Sequence, residues 1–190
     1  MRAVALYNSR TSWGWPAKLL HWVVAVLVLG LIGVGFTMVW LVSDLGTKFE
    51  LYQLHKSFGV LVAMLVGLRL VWRGLNPVVP ALPDTLQPWE RRLAAATHHG
   101  FYALLLLMPL TGWITASASP LGVPTVVFGL VELPNPIGPN AALEGAMSVV
   151  HGLLAVLLVL ALTLHVGAAL KHHFVLRDDV LLRMLPGRRG

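Results

Sequence analysis

Between Lys18 and Ser43 the chain carries no Asp, Glu, Lys or Arg, and His21 alone interrupts a stretch that runs on through WVVAVLVLGLIGVGFTMVWLV. A helix rises about 1.5 Å per residue, so roughly 20 such residues cross the ~30 Å of hydrocarbon in a bilayer. Three further runs of that length follow, which gives four expected spans at about 18–42, 51–73, 97–117 and 146–170. The first is longer than the roughly 7–15-residue apolar core of a cleaved signal peptide and is followed by no small-residue cleavage site, so it is read as a retained helix. Pro109, inside the third, is expected to kink it by removing a backbone donor. The expected fold is an all-α integral membrane protein, a four-transmembrane-helix bundle occupying 1–190 as one domain.

Composition supports this and narrows the chemistry. The chain is 57% hydrophobic and 12% charged, against roughly 45–50% and about 25% in soluble proteins, which excludes an ordinary soluble enzyme. It has no cysteine, so disulfides, thiolate-bound metals, iron–sulfur clusters and covalently attached haem are excluded.

The formal charge of +6 reads as topology, not as a nucleic-acid footprint. Arg2, Arg10, Lys18, Arg69, Arg73, Arg91, Arg92, Lys171, Arg177, Arg183, Arg188 and Arg189 fall on one side of the four spans, and only Lys48 and Lys56 on the other. The positive-inside rule then places both termini in the cytoplasm. The acids divide evenly, with Asp84, Glu90, Asp178 and Asp179 inside and Asp44, Glu50, Glu132 and Glu144 outside, so the inner side sums to +8 and the outer to −2. Trp13, Trp15 and Trp89 mark the inner interface, Trp40 and Trp113 the outer one. The connection 117–145, rich in Pro and Gly, is expected to cap the outer end. No internal repeat or low-complexity segment is visible.

Histidines inside spans are costly without partners, so they are the functional candidates. His21 lies near the inner start of span one, His55 near the outer start of span two, and His151 near the outer start of span four. His165 follows His151 by 14 residues. At about 100° and 1.5 Å per residue, that spacing puts both on one helix face, about 21 Å apart in depth. Matching by depth pairs His55 with His151 and His21 with His165. Two stacked bis-histidine sites suit two b-type haems, each iron taking one axial nitrogen from each of two facing helices.

Further spacings agree. Arg69, 14 residues after His55, reaches the inner site's depth, where a porphyrin propionate would offset the desolvation of its guanidinium. Gly35, 14 residues after His21, offers a flat surface at the outer site's depth, and Gly59 and Gly152 leave room beside His55 and His151. Each has a plainer reading: snorkelling for Arg69, helix packing for the glycines, a proton relay for the histidines. A di-metal carboxylate bundle is excluded, because the spans carry no Asp or Glu at matching depth. His98 and His99 open span three at the inner depth, and either competes with His21 as a ligand. His172 and His173 read as an interfacial pair.

The stretches LLHWVVAVLV, LHKSFGVLVAMLVGLRLVWR and HGLLAVLLVLALTLHVGAALKHHFVLRDDVLLRMLP together resemble the bacterial cytochrome b561 family, small four-helix dihaem cytochromes of the inner membrane that include a superoxide oxidase. The resemblance covers essentially the whole chain. It implies two non-covalent b haems, with His21 and His165 as axial ligands of one and His55 and His151 of the other, which removes His99 and leaves His98 a role near the inner haem. It further implies a bacterial inner-membrane protein, among lipid and quinone, that carries single electrons between an outer donor and the quinone pool. In the leading expectation periplasmic superoxide is oxidised to dioxygen and ubiquinone is reduced, with Lys56 attracting the anion. The alternative is a non-enzymatic cytochrome that exchanges electrons between quinol and a cytochrome partner. The outer charge of −2 departs from the electropositive approach expected for an anionic substrate.

Overall fold

The computed structural model describes residues 5–84 and 86–186; Arg2, Arg188 and Arg189 of the charge count lie outside the described residues. Four helices dominate: α1 (Trp15–Phe36), prolonged by a π-helical turn over Thr37–Leu41; α2 (Leu45–Leu75); α3 (Pro88–Ala118); and α4 (Ala141–Leu170), prolonged by a π-helical turn over Lys171–Leu176. All four are long and apolar enough to cross a membrane. The end of the bundle near both termini is called inner below, the other outer.

The helices overrun the apolar runs, for capping reasons. α3 begins nine residues before its run, where Pro88 suits a first turn with no use for its missing N–H and Glu90 Oε2 accepts from the Gln87 N–H at 3.0 Å. α4 begins at Ala141 because the Asn140 side chain accepts from the Leu143 N–H at 3.0 Å, and Asp44 does the same for α2 through the Thr47 N–H at 2.8 Å. α3 continues helically through Pro109.

Consecutive helices pack side by side, α1 on α2, α2 on α3 and, most extensively, α3 on α4; no comparable backbone interface joins α1 to α4. The buried core is small and aliphatic: Val24, Val28, Val62, Val66 and Leu158. Large apolar side chains such as Val26, Trp40 and Leu164 face outward, as a lipid-facing belt requires. Association of such helices relies on close packing and interhelical polar contacts, because lipid tails are as apolar as the residues they meet.

Each end of the bundle is closed by a polar device. At the outer end, strands β1 (Thr125–Val127) and β2 (Val131–Leu133) pair antiparallel with Val127 opposite Val131. Phe128 and Gly129, both at positive φ, make the turn. The hairpin is pinned to α2: Ser57 Oγ accepts from the Phe128 N–H at 3.0 Å, and the Phe58 and Phe128 rings meet edge to face at 5.1 Å. The capping role expected of this connection is therefore built from α2 outward. At the inner end the C-terminal segment lies across α1: Trp22 Nε1 donates to the Met184 carbonyl at 2.8 Å and Lys18 Nζ to that of Leu185 at 3.3 Å.

Candidate functional site: two histidine pairs

The bundle brings together the histidines that depth matching pairs. The His21 and His165 rings have centroids 6.2 Å apart, across the side where α1 and α4 lack a backbone interface. The His55 and His151 rings are 6.3 Å apart between α2 and α4. Imidazoles from facing helices at about this separation would leave room for one metal ion held by a nitrogen of each ring. Among the described residues no three His, Asp or Glu side chains converge as a metal site, so the geometry on offer is that of paired imidazoles.

Each outer ring is seated on a glycine. A Cβ added at Gly35 would stand 3.3 Å from His55 Cε1, and one added at Gly112 would stand 3.3 Å from His151 Cε1. Gly35 thus lies at the outer depth, as its spacing predicts, with the edge of the His55 ring beside it. Gly59 and Gly152 have open space where a side chain would be. Gly112 was not singled out by sequence. The signal that could have found it is arithmetic: it follows His98 by 14 residues, as Gly35 follows His21, Arg69 follows His55 and His165 follows His151.

That common interval is one of position and leaves the expectation of no internal repeat in sequence standing. Hairpins α1–α2 and α3–α4 repeat one arrangement of positions, with an outer layer of Gly35, His55, Gly112 and His151 and an inner layer of His21, Arg69, His98 and His165. The repeat is one of depth and contact, carried by differing residue types and unequal connections, so it leaves little trace as sequence similarity.

Polar contacts fix the rings. Thr111 Oγ1 lies 3.0 Å from His151 Nδ1 and 2.9 Å from the carbonyls of both Leu107 and Met108. A hydroxyl has one hydrogen, and here two carbonyls compete for it, so its lone pair accepts from His151 Nδ1–H and leaves Nε2 unprotonated, the form a metal needs. His55 Nδ1 is buried with no side-chain partner, and the polar group its ring meets is the backbone of Leu31. In the inner layer Arg69 Nη1 lies 3.2 Å from His21 Nδ1, and its guanidinium faces the Tyr102 ring at 5.8 Å. The His98 ring meets that of His165 edge to face at 5.9 Å while its own Nδ1 is held 2.6 Å from the Ala94 carbonyl, and Phe101 packs on His165 at 5.2 Å.

The remaining candidates fall elsewhere. His99 Nδ1 bonds to the Ala95 carbonyl at 2.7 Å on the exposed side of α3. His172 Nδ1 is 2.5 Å from Asp178 Oδ2, and His173 packs against Phe174, both in the π-helical turn that ends α4. Lys56 donates to the Pro124 carbonyl at 3.0 Å, beside Gln53 Nε2 at 3.1 Å, so its ammonium is tucked under the outer hairpin.

Comparisons with known proteins agree with this arrangement. The family model for prokaryotic cytochrome b561 matches residues 12–187. Cytochrome b561 homolog 2 of Escherichia coli (strain K12) is 33% identical over 178 residues, covering 94% of this chain and 93% of that protein. The probable superoxide oxidase CybB of Yersinia pestis is 31% identical over 177 residues, 90% of this chain and 94% of its own length. Cytochrome b561 homolog 1 of Escherichia coli (strain K12) is 26% identical over 173 residues, with 90% and 94% covered. The chain belongs to the prokaryotic cytochrome b561 family.

Proposed function

We propose that this chain is a dihaem b-type cytochrome of the bacterial inner membrane, with His21 and His165 holding an inner haem and His55 and His151 an outer one. Family membership implies b-type haem and electron transfer in a membrane; the number of haems and the ligand set rest on the observation that two histidine pairs, at opposite ends of the bundle, have ring centroids 6.2 and 6.3 Å apart, close enough that each pair could hold one metal. Bound haem supplies a reversible one-electron change at iron. The protein's own residues do the rest. Thr111 fixes the tautomer of His151, Gly35 and Gly112 let the outer rings lie close to neighbouring helices, and Gly59 and Gly152 leave open space beside the outer ligands. The guanidinium of Arg69 has donors left over for a carboxylate of the inner cofactor.

The reaction proposed is the oxidation of superoxide at the outer end and the reduction of ubiquinone: two superoxide anions give two dioxygen molecules and two electrons, which with two protons convert the quinone to the quinol. Support comes from the likeness to a probable superoxide oxidase and from Lys56, whose ammonium lies one residue from His55, takes part in none of the described ion pairs and keeps donors for an anion. A second reading, an electron carrier serving a cytochrome partner, is favoured by the exposed Asp44, Glu50 and Glu132 on the outer face, which would receive a basic protein. To separate them, purified protein is mixed with an enzymatic superoxide source while haem and quinone absorbance are followed. Haem reduction faster than in a source-free control, with quinone reduced in step, supports the oxidase; no acceleration leaves the carrier.

A further inference from the structure

The two ends of the bundle differ in the kind of polar group they leave unpaired. Resting on the dihaem reading above, we infer that Trp72 and Asn76 hold the second propionate of the inner haem, Arg69 holding the first, so that this haem is seated with its carboxylate edge toward the inner end.

Three observations carry this. First, the unpaired atoms sort by chemistry. Among the described residues, and setting the histidine rings aside, the buried side-chain atoms without a partner are Trp72 Nε1, Asn76 Nδ2 and Arg183 Nε at the inner end, and Gln53 Oε1 and Thr125 Oγ1 at the outer end. The inner three are N–H groups that can only donate, whereas the outer two are a carbonyl oxygen and a hydroxyl, both able to accept. Buried polar groups in folded proteins are ordinarily paired, so a set of donors alone marks an acceptor as its complement. Second, Trp72 and Asn76 continue the face of α2 that bears Arg69: Arg69, Trp72, Arg73 and Asn76 follow the i, i+3, i+4, i+7 spacing of one helix face. Arg69 lies in the inner histidine layer, and at 1.5 Å per residue Trp72 and Asn76 stand about 4.5 and about 10.5 Å farther inward along the axis. Third, both side chains are held in place. The Tyr7 ring stacks on the Trp72 indole at 6.0 Å with 12° between the planes. Asn76 is only 5% exposed; its backbone N–H donates to the Trp72 carbonyl at 3.0 Å and its carbonyl accepts from Arg73 Nη1 at 3.3 Å, so its backbone is satisfied and its side-chain NH2 is not.

The ligand follows from the donor set. A carboxylate accepts through two oxygens and carries no hydrogen, and N–H groups gain roughly twice as much from a charged acceptor as from a neutral one. Protohaem brings two such carboxylates, and they travel with the macrocycle that the inner histidine pair fixes in the same layer. The guanidinium of Arg69, at the depth of the rings, serves one; the indole N–H and the amide NH2, about one and two turns farther inward, serve the other.

The test is haem release from the purified full-chain holoprotein in detergent to excess apomyoglobin, with haem counted in every sample at the start. The inner phase is the one missing from His165→Ala. Trp72→Phe keeps a ring for Tyr7 and removes the N–H; Asn76→Leu removes the amide. Each is expected to quicken the inner phase roughly tenfold and to leave the outer phase unchanged. Resonance Raman spectra supply a readout that loosened packing alone does not move: the propionate bending band of the inner haem shifts in both variants. The inference is overturned if both variants release haem at the wild-type rate with that band in place, or if both phases quicken together while the band stays. It is equally overturned if haem is unaffected and the quinone concentration for half-maximal reduction rises, which assigns the donors to the quinone. The two variants stand independently, so one that fails to accumulate leaves the other to decide. Fewer than two haems in the wild-type protein defeats the dihaem reading itself, before any variant is compared.

Discussion

In hairpin α1–α2 the His55 ring lies beside Gly35; in hairpin α3–α4 the His151 ring lies beside Gly112, and a Cβ added at either glycine would stand 3.3 Å from the ring. The residue before each glycine breaks the likeness. Thr111 gives His151 a side-chain partner for Nδ1, whereas Val34 precedes Gly35 and the His55 ring has only the backbone of Leu31. The shared feature is steric and the differing one is polar. Close packing of the ring is thus common to both hairpins, while a hydroxyl partner for the ring nitrogen is present in only one. His151 is the better-held ring of the outer pair.

Variants can break or sharpen this comparison. The largest effect is expected from removing a ligand: His151→Ala should release the outer haem and keep the inner, and His165→Ala the reverse, read as one haem per chain by pyridine haemochrome. Two haems retained in either variant contradicts the pairing. Next, Gly35→Val and Gly112→Val should each lower outer-haem content by more than half with the inner haem kept, because the added carbons enter space the ring edge already fills. A loss confined to one of the two would mean that the seats are not equivalent.

A smaller effect is expected of Thr111→Val, which leaves His151 Nδ1 without its acceptor. Loss of such an outer partner typically costs about 10–100-fold in metal affinity, so outer-haem transfer to apomyoglobin should quicken by that order, and an unchanged rate would show the hydroxyl to be idle. The smallest is a gain. Val34→Thr offers His55 the acceptor that hairpin α3–α4 already has, and a satisfied buried polar group is worth about 0.5–1.5 kcal/mol. A rise in the thermal midpoint of the holoprotein, absent from Val34→Ala, would bear this out.

Much of the fold was legible because membrane crossing demands long uncharged runs, and the four here are interrupted by little beyond histidines. Helix ends were less legible, since Gln87, Glu90 and Asn140 act through backbone N–H groups that hydropathy does not see. The histidine pairs could be read from depth, because 14 residues return a helix to nearly the same face. Gly112 and Thr111 could not. A glycine and a threonine in a membrane helix ordinarily serve packing, and only the ring lying against them gives them a further meaning. The direct contact of Arg69 with His21 escaped for a related reason: spacing gives the depth of a side chain but not which neighbour it turns to.

The aliphatic layer of Val24, Val28, Val62, Val66 and Leu158 lies between the two histidine pairs and has an electrical consequence. None of its side chains can hand on a proton, so an electron that passes from one pair to the other crosses without one and does work against the membrane voltage, up to about 2.3 kcal/mol per 100 mV for a full crossing. Under the orientation proposed above, with the inner end facing a negative cytoplasm, inward transfer would run uphill in that field.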